Sequence, residues 1–136
     1  MSTMAPHGIF TYRAGADLTG KFGWAVGMST TQDKTVVLAA NGKDFVGVIL
    51  SPGTTDKLGV TAVEVRTTPE NVTVATGGRV KCVAQAPVTR GAKITVHSDG
   101  RFRIATSTET FIGIAEEPAA SAGDYFSVIL TAGGVV

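Results

Sequence analysis

The chain has 136 residues, enough for one domain with a sizeable core and no disulfide staples. Its 12 Lys+Arg nearly balance 11 Asp+Glu, with no basic run or basic–aromatic interleaving, so nothing supports contact with a nucleic-acid backbone. A single cysteine excludes an internal disulfide, and no apolar stretch approaches the roughly 20 residues of a membrane helix.

Residues 1–20, with Pro6 and little alternation, read as an N-terminal arm or edge segment whose candidate anchors are Ile9, Phe10 and Tyr12. Met1 to His7 have neither the basic nor the apolar region of a secretory signal, so synthesis in a cytoplasm without export is expected. Strand signals become regular from Lys21. Lys34–Ala40 and Lys43–Leu50 flank Asn41-Gly42, a strong hairpin signal because both residues reach positive φ. Val72 and Val74 alternate with Asn71 and Thr73, and Thr76-Gly77-Gly78 leads into Arg79–Ala84, where Val80, Cys82 and Ala84 share one face. Lys93–His97 and Arg101–Ala105 flank Ser98-Asp99-Gly100, with Ile94, Val96, Phe102 and Ile104 inward and Lys93, Thr95, Arg101 and Arg103 toward water. Glu116–Ala122 holds at most one helical turn before the last strand, in which Phe126, Val128 and Leu130 alternate with Tyr125, Ser127 and Ile129.

The 19 threonines, 17 valines and 7 isoleucines far outnumber the 5 leucines and 3 methionines, and β-branched side chains fit a pleated surface better than a helix. The expected fold is all-β: a compact barrel or sandwich-like domain of short antiparallel strands with an extended N-terminal arm. A block recurs within it. Phe45-Val46-Gly47-Val48, with Pro52 beyond, returns 66 residues later as Phe111-Ile112-Gly113-Ile114, with Pro118 beyond. Each copy precedes another β-rich run, Val60–Arg66 or Tyr125–Thr131. Residues 21–136 are therefore expected as a single β domain, with duplicated units at roughly 21–66 and 91–131 joined by a hairpin at 71–84. A two-lobed arrangement of the copies stays open.

Chemical motifs fare poorly. Gly15–Lys21 matches G-x-x-x-x-G-K, but Phe22 stands where a P-loop needs Ser or Thr, and a glycine-interrupted strand follows instead of a helix. His7, His97 and Asp99 do not close a tetrahedral metal site. Glu116-Glu117 reads as a solvated loop, since neighbours in extended chain point to opposite faces. Cys82 lies between Val80 and Ala84 as a small buried hydrophobe. No catalytic, cofactor or metal residues are assigned, and the chain reads as a non-enzyme. Phe22 and Trp24, together with Ile9, Phe10, Tyr12 and Arg13, form the candidate anchoring patch, because aromatics bury much area at low entropic cost.

From Asn71 to Leu130 the chain resembles the small capsid decoration, or cement, proteins of tailed bacteriophages. The likeness rests on Val88-Thr89-Arg90-Gly91-Ala92-Lys93-Ile94, Asp99-Gly100-Arg101-Phe102, Phe111–Glu116 and the alanine-rich turn Ala119–Asp124 before Tyr125–Leu130. Gly20–Val26 and Val46-Gly47-Val48 look like a weaker copy of the same scheme, although Pro52–Asp56 lacks the alanine-rich turn. The resemblance implies a β-barrel-like protein, often trimeric, on the outer surface of an expanded phage head. There it would bind the major capsid protein at junctions between subunits and hold the shell against internal DNA pressure. The partners expected are thus the major capsid protein and copies of the chain itself, with no nucleic acid, membrane, small-molecule substrate or cofactor. The location expected is the virion, reached through the host cytoplasm during assembly. Competing readings are another virion β-module of tail tube or baseplate, an enzyme on a trimeric β scaffold, and a carbohydrate-binding module using Trp24.

Overall fold

The computed structural model describes residues 9–16, 18, 20–50 and 71–136. Val60–Arg66, His7, and Asp17 and Thr19 of the G-x-x-x-x-G-K match lie outside the described residues. Ten strands occur: β1 Ile9–Ala14, β2 Ala25–Met28, β3 Thr35–Leu38, β4 Phe45–Ile49, β5 Asn71–Ala75, β6 Gly78–Val83, β7 Lys93–Val96, β8 Phe102–Ile104, β9 Thr110–Ala115 and β10 Tyr125–Val135. No helix forms among the described residues, and Glu116–Ala122 is bend and turn.

The first five strands close into a barrel in the order β1-β3-β2-β4-β5. β1 does the closing. It pairs antiparallel with β5 from Ile9↔Ala75 to Arg13↔Asn71, and parallel with β3 at Arg13↔Thr35 and Ala14↔Val36. The segment 1–20, expected as an arm or edge, thus contains a strand paired on both sides. Closure satisfies the backbone groups that an edge strand would leave open. The other five strands form a sheet in the order β6-β10-β9-β7-β8. Its ends approach through a parallel bridge, Ala84↔Phe102, where the Gln85 N–H donates to the Phe102 carbonyl at 2.7 Å.

The two sets of strands are copies of one another in register. Val26↔Leu38 in β2–β3 corresponds to Ile94↔Ile104 in β7–β8, and Val26↔Gly47 corresponds to Ile94↔Gly113. Ile49↔Val74 corresponds to Ala115↔Val128, and Phe10↔Val74 to Val80↔Val128. Even the closing bridge repeats, Ala14↔Val36 as Ala84↔Phe102. The glycine of the repeated block has one physical reason in both copies. A Cβ on Gly47 would lie 2.5 Å from the Ala75 carbonyl oxygen, and a Cβ on Gly113 would lie 2.6 Å from that of Ile129.

Two expected hairpins pair differently. The segment 71–84 is not a ladder: β5 pairs with β1 and β4, while β6 pairs with β10 in the other sheet. The strand-turn-strand at Asn41-Gly42 also fails to pair with itself, because β2 lies between β3 and β4. Asn41 instead turns the chain with its side chain, its Oδ1 accepting from the Lys43 and Asp44 N–H groups at 2.8 and 3.0 Å. The hairpin at Ser98-Asp99-Gly100 forms as expected, joining β7 to β8.

Alternation produces two apolar clusters. Leu18, Val26, Val36, Ile49, Val72 and Val74 fill the first barrel. The larger cluster unites Val80, Cys82, Ile94, Phe102, Phe126 and Val128 of the second half with Ala25, Ala39, Val48 and Ala75 of the first. The outer face of β2, β4 and β5 is therefore buried against the second half, and its small side chains permit a close approach. Phe45 meets Phe102 edge-on at 6.2 Å between ring centroids. Backbone bonds cross the same seam, from the Ala25 N–H to the Gly100 carbonyl at 2.8 Å and from the Val83 N–H to the Gly23 carbonyl at 3.0 Å.

Candidate functional site

The six residues of the expected anchoring patch occupy three settings. Ile9, Phe10 and Arg13 are exposed on β1. Tyr12 and Phe22 pack against the core of the first barrel. Phe10 and Tyr12 remain neighbours, their ring centroids 6.3 Å apart and tilted by 50°. Trp24 lies at the seam between the two halves, with the Lys21 ammonium 4.1 Å and the Arg101 guanidinium 5.6 Å from its ring centroid. A desolvated cation over an indole face is a stronger contact than one in open water. Lys21 and Arg101 are parts of this cluster that sequence reasoning did not find. Arg101 comes from the β7–β8 turn of the other half, and no local spacing connects it to Trp24.

Several charged groups are engaged in pairs. Arg79 forks onto Glu116, Nε to Oε1 at 2.7 Å and Nη2 to Oε2 at 3.1 Å, and the Lys81 ammonium donates to Glu117 at 3.0 Å. Ser127, on the strand between them, donates its hydroxyl to Glu116 and its N–H to Glu117, both at 3.0 Å. Both carboxylates are therefore on one side, not on opposite faces as extended chain would place them. β9 ends at Ala115, and the following bend turns them together. Arg79 and Lys81 hold Glu116 and Glu117 below their ordinary carboxylate values.

A cleft of about 490 Å³ separates the Ala40–Lys43 loop from the second half and is lined there by Thr95, His97, Arg103 and Glu109. Thr95, expected to face water, is buried, and its hydroxyl donates to the Thr110 carbonyl at 2.7 Å. Arg103 grips Glu109, with Nη1 to Oε1 at 2.8 Å, and the Thr106 N–H and hydroxyl donate to the same oxygen at 2.7 and 2.8 Å. Hydrogen bonds from Arg103 and then Thr106 lower the Glu109 carboxyl to about 2. Partial burial works against the ionisation of Asp99, but the Arg101 backbone and side chain, with His97, hold it below its usual value. Burial pushes the Cys82 thiol well up, which keeps it protonated and unreactive.

The described residues contain no group of three or more His, Cys, Asp or Glu arranged to hold a metal ion. Within the G-x-x-x-x-G-K match, Gly20 takes a φ of 77° and the chain runs on to β2, with no helix N-terminus to receive a phosphate. The arrangement consists of exposed apolar side chains, a cation-flanked tryptophan and neutralised ion pairs, which suits contact more than bond-making. A search of the curated proteins found no significant match. The family described as structural cement protein (E217 gp24/Pam3 gp6) matches residues 1–135. The chain belongs to this family of structural cement proteins of the phage capsid.

Proposed function

We propose that the protein binds the outer surface of an expanded phage head where major capsid subunits meet, and stabilises the shell against internal DNA pressure. The observation that carries this reading is the family match over residues 1–135. A barrel and a five-stranded sheet joined through a buried apolar seam support it, as a body suited to bridging neighbouring subunits. The partner is the major capsid protein, and the protein works as a homo-oligomer, a trimer suiting three-fold lattice positions. Ile9, Phe10, Tyr12, Arg13, Phe22 and Trp24 remain the candidate docking set, with Ile9, Phe10 and Arg13 free to make first contact. Its action is mechanical, without catalysis or cofactor, after synthesis in the host cytoplasm.

Purified protein added to expanded heads lacking it is expected to bind saturably and to raise their thermal disruption temperature. Image reconstruction of the saturated heads is expected to show density outside the shell at subunit junctions. Absence of binding ends the reading, and density on tails transfers the protein to the tail-tube or baseplate class.

A further inference from the structure

Among the described residues, the internal repeat leaves one face and one end without the partner that their counterparts have. Inside the chain, Ala25, Val48 and Ala75 on the outer face of the first barrel share an apolar cluster with Val80 and Val96 of the second half. Each has a counterpart fixed by register. Ala25, Val48 and Ala75 correspond to Lys93, Ile114 and Ile129, while Val80 and Val96 correspond to Phe10 and Met28.

Burial differs sharply between counterparts. Val80 and Val96 are 5 % and 2 % exposed, but Phe10 and Met28 are 50 % and 42 % exposed. Ala75 is 4 % exposed, whereas Ile129 is 40 % exposed. The uncovered end also carries the larger apolar side chains. Beside Met28 runs a trough of about 600 Å³ lined by Val37, Leu38, Phe45 and Val46 together with Lys43 and Asp44.

The opposite face suits such a trough. Ile114 and Ile129 stand at neighbouring positions of β9 and β10, with Phe111 further along β9 under the Lys93 ammonium at 4.9 Å. The Arg79–Glu116 and Lys81–Glu117 pairs border this centre and neutralise one another. An apolar centre inside a rim of satisfied charges is the anatomy of a reversible interface, while the all-small face of the first barrel is that of a permanent one.

We propose that a second copy of this chain docks head to tail. The outer β7–β9–β10 face of one copy sits on the open Phe10–Met28 end of the next, repeating between chains the contact that each makes within itself. Lys93, exposed on this face, then approaches the trough, whose lining carries Asp44 beside Lys43. Such a heterologous contact uses two different surfaces and closes only as a ring. It shares Phe10 with the docking set proposed for the capsid, but self-association is read in solution with no head present, so the two readings fail separately.

Light scattering after size exclusion tests it over a concentration series. Wild type is expected to give masses above one chain that rise with concentration. Met28→Asp spoils the end and Ile129→Asp spoils the face. Both positions are exposed, so melting curves matching wild type are expected. Each variant alone is expected to fall to the mass of one chain, and an equimolar mixture is expected to recover a dimer through the one intact pair of surfaces. A wild type that stays at one-chain mass overturns the proposal. So does a mixture that stays at one-chain mass, which marks a like-with-like contact or a different surface.

Discussion

Lys34 and Gly100 occupy the same turn position in the two halves, yet only one is a glycine. Both take positive φ, 51° at Lys34 and 97° at Gly100. A side chain in the left-handed region costs about 1–2 kcal/mol, partly offset by the extra unfolded-state freedom of glycine. Lys34→Gly is therefore expected to raise stability by roughly 0.5–1 kcal/mol in urea unfolding. A second prediction concerns acid. Glu109 is lowered to about 2 by Arg103 and Thr106, from an ordinary 4.5. Its contribution is complete above pH 4.5 and disappears as pH falls toward 2. Glu109→Gln is expected to be less stable than wild type at neutral pH, with the gap narrowing through that window in denaturant titrations at stepped pH. At this scale the sequence was partly readable. Cys82 shows as a core residue from its neighbours Val80 and Ala84, whereas the burial of Thr95 does not. The acceptor for the Thr95 hydroxyl is Thr110, on a strand that nothing in the local pattern designates as its neighbour.

Among the elements, β1 decides whether residues before Ala14 are attachment or scaffold. It contributes Ala14 and Tyr12 to the first barrel and covers one edge each of β3 and β5. Removing residues 1–14 is expected to abolish the cooperative melting of the first barrel, because it opens two strand edges at once. Removing residues 1–8 leaves β1 in place and is expected to preserve that melting. Circular dichroism and melting curves distinguish these outcomes, and a 1–14 truncation that melts like wild type would assign β1 to attachment instead. Strand positions follow from alternation, but alternation does not name partners. That is why Asn41-Gly42 and 71–84 look like hairpins in sequence. A turn between two strands says nothing about a third strand that inserts between them, as β2 does.

Over the whole molecule, the repeated Phe-x-Gly block disclosed a duplication but not its extent. The halves run from Ile9 to Ala75 and from Gly78 to Val135. β1 and β6 match only at Ala14 and Ala84, and β5 and β10 match only at Val74 and Val128 along their equivalent positions. Interior barrel positions accept any apolar side chain of suitable volume, so shape persists where identity has been lost. The seam was less legible still, because the small residues that form it look unremarkable on their own strands. Acting on the capsid as proposed, such a body is expected to need little affinity per copy. Many copies on a lattice gain strength collectively, which is why saturable binding and a raised disruption temperature are expected together.

Identical strand order in both halves also creates a hazard during folding. β1 finds in β10 a mate of the same polarity and spacing as β5, and β6 finds one in β5. Only the dissimilar side chains along these edges tell the correct mate from its double. The divergence that conceals the repeat from a reader of the sequence is thus also what keeps a newly made chain from tangling its two halves.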